Sequence, residues 1–139
     1  MPRPNLLFIL TDQQRHDTMG CYGNRQIFTP SLDRLAASGV VFERAYTSSP
    51  ECVPARSVMM TGLSPHRSGV FSNGSRQSVQ TPTFQRLLRD AGYLTQAIGK
   101  MHFVPSREGF GMERLCLSEE IPGTVEEDEF LTDLVAAGF

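Results

Sequence analysis

The chain has 139 residues, a length that fits one domain. Hydrophobic residues make up 40% and charged residues 20%, the composition of a folded domain rather than a disordered tail. A formal net charge of −2 gives no electrostatic case for nucleic acid, and no apolar run approaches the roughly 20 residues that cross a bilayer. Neither nucleic acid nor a membrane is therefore expected as a partner, and the default address is cytoplasmic.

The opening segment "PNLLFILTDQQ" carries a continuous apolar run, Leu6 to Leu10, too short and wrongly flanked for a secretory signal. A run apolar on both faces predicts a central parallel strand covered by helices. Asp12 then falls at the carboxyl end of that strand, the edge where open α/β sheets bind ligands. Two later stretches share one grammar, "TPSLDRLAASGVVF" from Thr29 and "TPTFQRLLRDAGYL" from Thr81. Each offers a threonine N-cap and a proline at the first helical position, Pro30 or Pro82. Helical apolar spacing follows, and each stops at a glycine, Gly39 or Gly92, suited to a left-handed C′ position. Strand-like runs, "VVFERAY" and "YLTQAIG", come next. "SVMMTGL" after Arg56 predicts a short helix. From Pro105 the pattern predicts loop with a short strand, and "EEDEFLTDLVAAGF" predicts a final amphipathic helix ended by Gly138, with acids at its amino end where the macrodipole favours them.

Helices alternating with strands predict an α/β fold, a mixed and mostly parallel sheet sandwiched by helices. The three or four strands that can be counted fall short of a finished sheet. The expectation is an incomplete amino-terminal portion, with residues 1–139 forming part of one catalytic domain.

Cys21, Cys52 and Cys116 are odd in number and lack a C-x-x-C spacing, so neither a zinc ribbon nor a thioredoxin-type motif is supported. Cys116 is expected to be a small buried hydrophobe. Cys52 differs, because a helix start and the Arg56 cation both lie close in sequence, and both favour a thiolate.

Cys52-Val53-Pro54-Ala55-Arg56, followed by Met60-Thr61-Gly62, closely resembles the signature of the type I, formylglycine-dependent sulfatases, members of the alkaline-phosphatase-like superfamily. Two further stretches match in the same order: "NLLFILTDQQRHDTMGCYGN" and "GYLTQAIGKMH", Gly92 to His102. The resemblance runs from Asn5 to about His102 and more loosely beyond. It implies that Cys52 is oxidised to formylglycine by a formylglycine-generating enzyme reading C-x-P-x-R, and that the substrate is a small-molecule sulfate ester. It also implies a divalent metal, Ca²⁺ or else Mg²⁺ or Mn²⁺, held by Asp12, Gln13 and the modified Cys52.

In that chemistry one hydroxyl of the aldehyde hydrate attacks sulfur and the other later expels sulfate, with a Lewis acid clamping the oxygens. Arg56 would neutralise the formylglycine oxygens, Lys100 would bind a sulfate oxygen as a point charge, and His102 would take the proton in the elimination step. An imidazole suits that step because it ordinarily titrates near neutral pH.

The family usually places two consecutive acids where this chain has Asp12 and Gln13. The same departure occurs in phosphonate monoester hydrolases, so a phosphonate or phosphate ester hydrolase is the alternative activity. The family's remaining metal ligands and a second lysine and histidine come much later in sequence, so this chain is expected to hold half a site. A third possibility is a non-catalytic fragment in which Cys52 stays a thiol.

Taken singly, each residue has a plainer role. Asp12 can cap the turn after a strand, Arg56 and Lys100 can be surface cations, and His102 a satisfied polar residue. Arg15 and Asp17 read as loop residues, His66 as structural, and Met59 and Met60 as core.

Overall fold

A computed structural model describes residues 3–139, which fall into two units divided between Tyr46 and Thr47. In the first, two short 3-10 turns, His16–Thr18 and Gly20–Tyr22, precede helix α1, Pro30–Ser38. Thr29 caps α1 and Pro30 opens it as expected, yet the Thr29 hydroxyl accepts from Gly20 N–H (2.8 Å) rather than from its own helix. Asp33 in the first turn accepts from Cys21 N–H at 2.7 Å, so the glycine-rich turn docks onto the helix start. A Cβ on Gly20 would sit 2.5 Å from the Asp33 carboxylate, which explains the glycine. Gly39 ends α1 in an extended conformation, not the left-handed one expected.

Neither strand expected in this unit forms among the described residues. Segments 6–10 and 40–46 have no strand pairing, and Leu7 and Phe42 are 86% and 71% exposed. Apolar, β-branched sequence gives a strand its side chains, but a strand exists only through a neighbour's ladder of hydrogen bonds.

The second unit holds helices α2 (Cys52–Thr61), α3 (Pro65–Ser68), α4 (Phe84–Asp90) and α5 (Glu129–Ala136), with strands β1 (Gln96–Gly99) and β2 (Arg114–Leu117). The two strands pair in parallel, Gln96 opposite Arg114 through Gly99 opposite Leu117. This α/β unit with a small parallel sheet is part of the larger fold that the sequence predicts. Helix α2 begins at Cys52 itself, earlier than expected, and ends at Gly62, whose left-handed φ of 69° lets its N–H reach the Val58 carbonyl at 2.8 Å.

Helix α4 is capped by Thr83, not Thr81, and Pro82 lies outside it. The Thr83 hydroxyl accepts from Arg86 N–H and donates to the Phe110 carbonyl, a bond that neither Thr81 nor Pro82 makes. Gly111, at φ 109°, passes so close that a Cβ there would lie 2.5 Å from the Arg86 backbone nitrogen. The small core joins Met60, Phe103 and Phe110, the two rings meeting edge-on with centroids 5.2 Å apart. Met60 is thus core as expected, whereas Met59 is exposed. Cys116 is exposed rather than buried, because strand alternation places it opposite Ile98 on the face that no described element covers. No helix among the described residues is long and apolar enough to cross a membrane.

Candidate active site

The start of α2 is fastened from outside the helix. Pro54 removes one of the donors a helix start leaves over. Val53 N–H donates to Asn73 Oδ1 (3.0 Å), and Asn73 N–H donates in turn to Glu51 Oε2 (2.9 Å). Cys52, half-buried, therefore stands at the first position of a firmly placed helix. Arg56, four residues on, lies on the same face. Only 6% of it is exposed, and its Nη1 donates to the Lys100 carbonyl at 2.6 Å. A charge-assisted bond of this kind contributes about 1.5–3 kcal/mol, and here it ties α2 to the segment that leaves β1.

That segment, Lys100–His102, emerges at the carboxyl edge of the sheet, where the strand-edge rule puts ligand chemistry. Gly99 at φ 91° and His102 at φ 52° turn it sharply. The Lys100 ammonium lies 2.5 Å from Glu120 Oε2 and its side chain is 13% exposed. His102 and Arg56 line one tight cavity of about 10 Å³ with Val53, Ser57, Gln77 and Phe110. Two buried polar atoms of that cavity's residues, His102 Nδ1 and Ser57 Oγ, have no hydrogen-bond partner among the described residues. Unsatisfied buried polar atoms are uncommon and call for an explanation.

Of the residues singled out in the sequence, Cys52, Arg56, Lys100 and His102 all lie in the second unit. Arg56 is joined to the Lys100 backbone and shares a cavity with His102. Asp12 and Gln13 lie in the first unit, both exposed, with Gln13 at φ 53°. No group of three or more His, Cys, Asp or Glu side chains that could hold a metal exists among the described residues. Asp12 and Gln13 offer one carboxylate and one amide, which by themselves do not complete a metal shell. Arg15 and Asp17 pair with each other on the surface, the guanidinium hydrogen bond holding the Asp17 carboxyl below its ordinary range. Arg15 lies in the loop as expected, whereas Asp17 falls within the 3-10 turn His16–Thr18.

Sequence reasoning missed Asn73, Glu119 and Glu120. The signal for the two glutamates is the same edge rule that drew attention to Asp12, because "SEE" directly follows β2.

The Sulfatase family model matches residues 4–133, and the chain belongs to that family. An uncharacterized sulfatase of Escherichia coli, YidJ, is 43% identical over 102 residues, covering 73% of this chain and 20% of the relative. A solved protein in complex with its substrate D-glucosamine-2-N,6-O-disulfate superposes with a TM-score of 0.72 at 38% identity, covering 74% of this chain and 21% of the other. The phosphonate monoester hydrolase of Agrobacterium radiobacter gives a TM-score of 0.77 at 26% identity, covering 98% of this chain and 29% of the other. The chain spans about a fifth to a quarter of the length of the curated relatives it matches. Sulfatases generally use a divalent metal and a formylglycine.

Proposed function

We propose that the protein to which this chain belongs hydrolyses small-molecule sulfate monoesters, with Cys52 as the site of formylglycine and a formylglycine-generating enzyme as the partner that installs it. One observation carries the reading: buried Arg56, on the helix that Cys52 opens, bonds to the Lys100 carbonyl at 2.6 Å and lines a cavity with His102. A formylglycine hydrate supplies a nucleophilic hydroxyl and a second hydroxyl whose ionisation frees the sulfate.

Around position 52 the chain's own residues bind, orient and move a proton. Arg56, held by the Lys100 carbonyl, neutralises negative oxygen beside the helix start, where the macrodipole adds to its charge. Lys100 takes a sulfate oxygen, which exchanges its Glu120 partner for the substrate anion. His102 accepts the proton whose loss frees the product, and its buried Nδ1, without a partner among the described residues, is a suitable acceptor. In this reading Asp12 and Gln13 would supply two of the oxygen ligands of a divalent metal, Ca²⁺ first and Mg²⁺ or Mn²⁺ next.

A second reading keeps the site and changes the substrate to phosphonate or phosphate esters. It is favoured by Gln13 and by the likeness to the phosphonate monoester hydrolase, which extends over 98% of the chain. Rates on an aryl sulfate and an aryl phosphonate monoester, measured on the whole protein with and without Cys52→Ala, decide between them. The proposal expects the sulfate ester to be preferred and Cys52→Ala to abolish turnover. A preference for the phosphonate would transfer the site to the second reading, and turnover that survives Cys52→Ala would refute both.

A further inference from the structure

Two segments leave the same edge of the sheet. Lys100–His102 follows β1 and Ser118–Glu120 follows β2, and parallel pairing sets them side by side, Ser118 N–H donating to the Gly99 carbonyl at 3.3 Å. Glu119 Oε1 accepts from Met101 N–H (3.0 Å) and His102 N–H (2.9 Å), and its Oε2 accepts from His102 N–H at 3.0 Å. Successive backbone N–H groups thus form a concave anion site, and this chain fills it with its own carboxylate.

His102 needs such support. Its φ of 52° is in the left-handed region, which a side-chain-bearing residue enters at a cost. A glycine would adopt that turn without strain, whereas His102 adopts it with a side chain attached. Glu119 is itself fixed, because its N–H donates to Oδ2 of Asp128 at 2.5 Å, and Asp128 is 1% exposed at the N-cap of α5. Glu119 and His102 also line one cavity of about 250 Å³.

From this geometry we infer that Glu119 is a positioning residue, which holds the strained His102 backbone and so aims the imidazole at the reacting group. The inference rests on the proposed proton-accepting role of His102. Glu119 touches no substrate; its carboxylate acts through two backbone N–H groups.

The test uses the whole protein, expressed in a host that carries the formylglycine-generating enzyme. Glu119→Gln keeps the side chain's shape but can turn an NH₂ group towards His102 N–H, donor against donor. Glu127→Gln is the control, since Glu127 lines the same cavity and accepts from Gly123 N–H instead. Amide exchange of Met101 and His102 reads the clamp directly. Turnover per site, counted with an aldehyde-reactive hydrazide, reads the consequence.

In Glu119→Gln, exchange at these amides is expected to quicken about 10-fold or more. The kcat per counted site is expected to fall about 10- to 100-fold with KM within about twofold, because Arg56 and Lys100 still anchor the anion. Glu119→Asp, which restores an acceptor-only group, recovers part of the loss, and Glu127→Gln changes neither readout. Unchanged exchange, unchanged kcat per site, or an equal loss in the Glu127 control would overturn the inference. A wild-type protein that is inactive with Cys52 still a thiol would overturn the parent reading and this one with it. The exchange protection would remain in that case, which tells the two failures apart.

Discussion

Asp128 offers a quantitative test of how the site's scaffold is fastened. It is 1% exposed and serves two neighbours with separate oxygens. Oδ1 accepts from Leu131 N–H at 2.9 Å and caps α5, while Oδ2 accepts from Glu119 N–H at 2.5 Å. Asp128→Ala removes the cap, at about 1 kcal/mol. It also strands the half-buried Glu119 N–H, at about 1–2 kcal/mol, so the expected loss is about 2–3 kcal/mol. Asp128→Asn can keep the cap while presenting NH₂ to the Glu119 N–H, so it should lose only the second part. Urea unfolding followed by circular dichroism reads both, provided the slope with denaturant is unchanged. An alanine variant within about 0.5 kcal/mol of wild type would refute the two-bond account.

Two further outcomes follow from the same edge of the sheet. The Glu129 carboxyl is held below its ordinary value, first by the Arg107 hydrogen bond (2.7 Å) and also by Leu117 N–H, against partial desolvation. A depressed carboxyl contributes stability above its unfolded value, lost as pH falls through the lower folded one. Acid titration should therefore cost wild type more stability than Glu129→Gln below the ordinary 4.5, and parallel acid limbs would contradict this. Glu120→Gln removes the carboxylate 2.5 Å from the Lys100 ammonium. Steady-state kinetics on a sulfate ester should then show a lower KM with kcat little changed, whereas a raised KM would show that Glu120 helps to hold Lys100 in place for the anion.

Local signals were legible wherever local chemistry decides the structure. Pro30 opens α1, Gly138 follows α5 at φ 85°, and "QAIG" forms β1, because caps, prolines and alternation act within a few residues. Segments 6–10 and 40–46 read as strands but are not in strand conformation with a paired neighbour in the sheet of β1 and β2, since pairing belongs to the partner and not to the segment. The choice of Thr83 over Thr81 as the α4 cap is set by a carbonyl 27 residues away, that of Phe110, which no window around the helix contains. Exposure of Cys116 depends on which sheet face is covered, again a tertiary matter. At the site, the resemblance to the sulfatase motifs singled out Cys52, Arg56, Lys100 and His102. Glu119 escaped notice because it acts on backbone N–H groups, which carry no residue-type signature.

The most direct test is the mass of the tryptic peptide that contains Cys52, from protein made alongside a formylglycine-generating enzyme. Conversion of the thiol to an aldehyde makes that peptide about 18 Da lighter, and the account predicts this shift together with capture by a hydrazide. A peptide of unshifted mass that still alkylates as a thiol would contradict it.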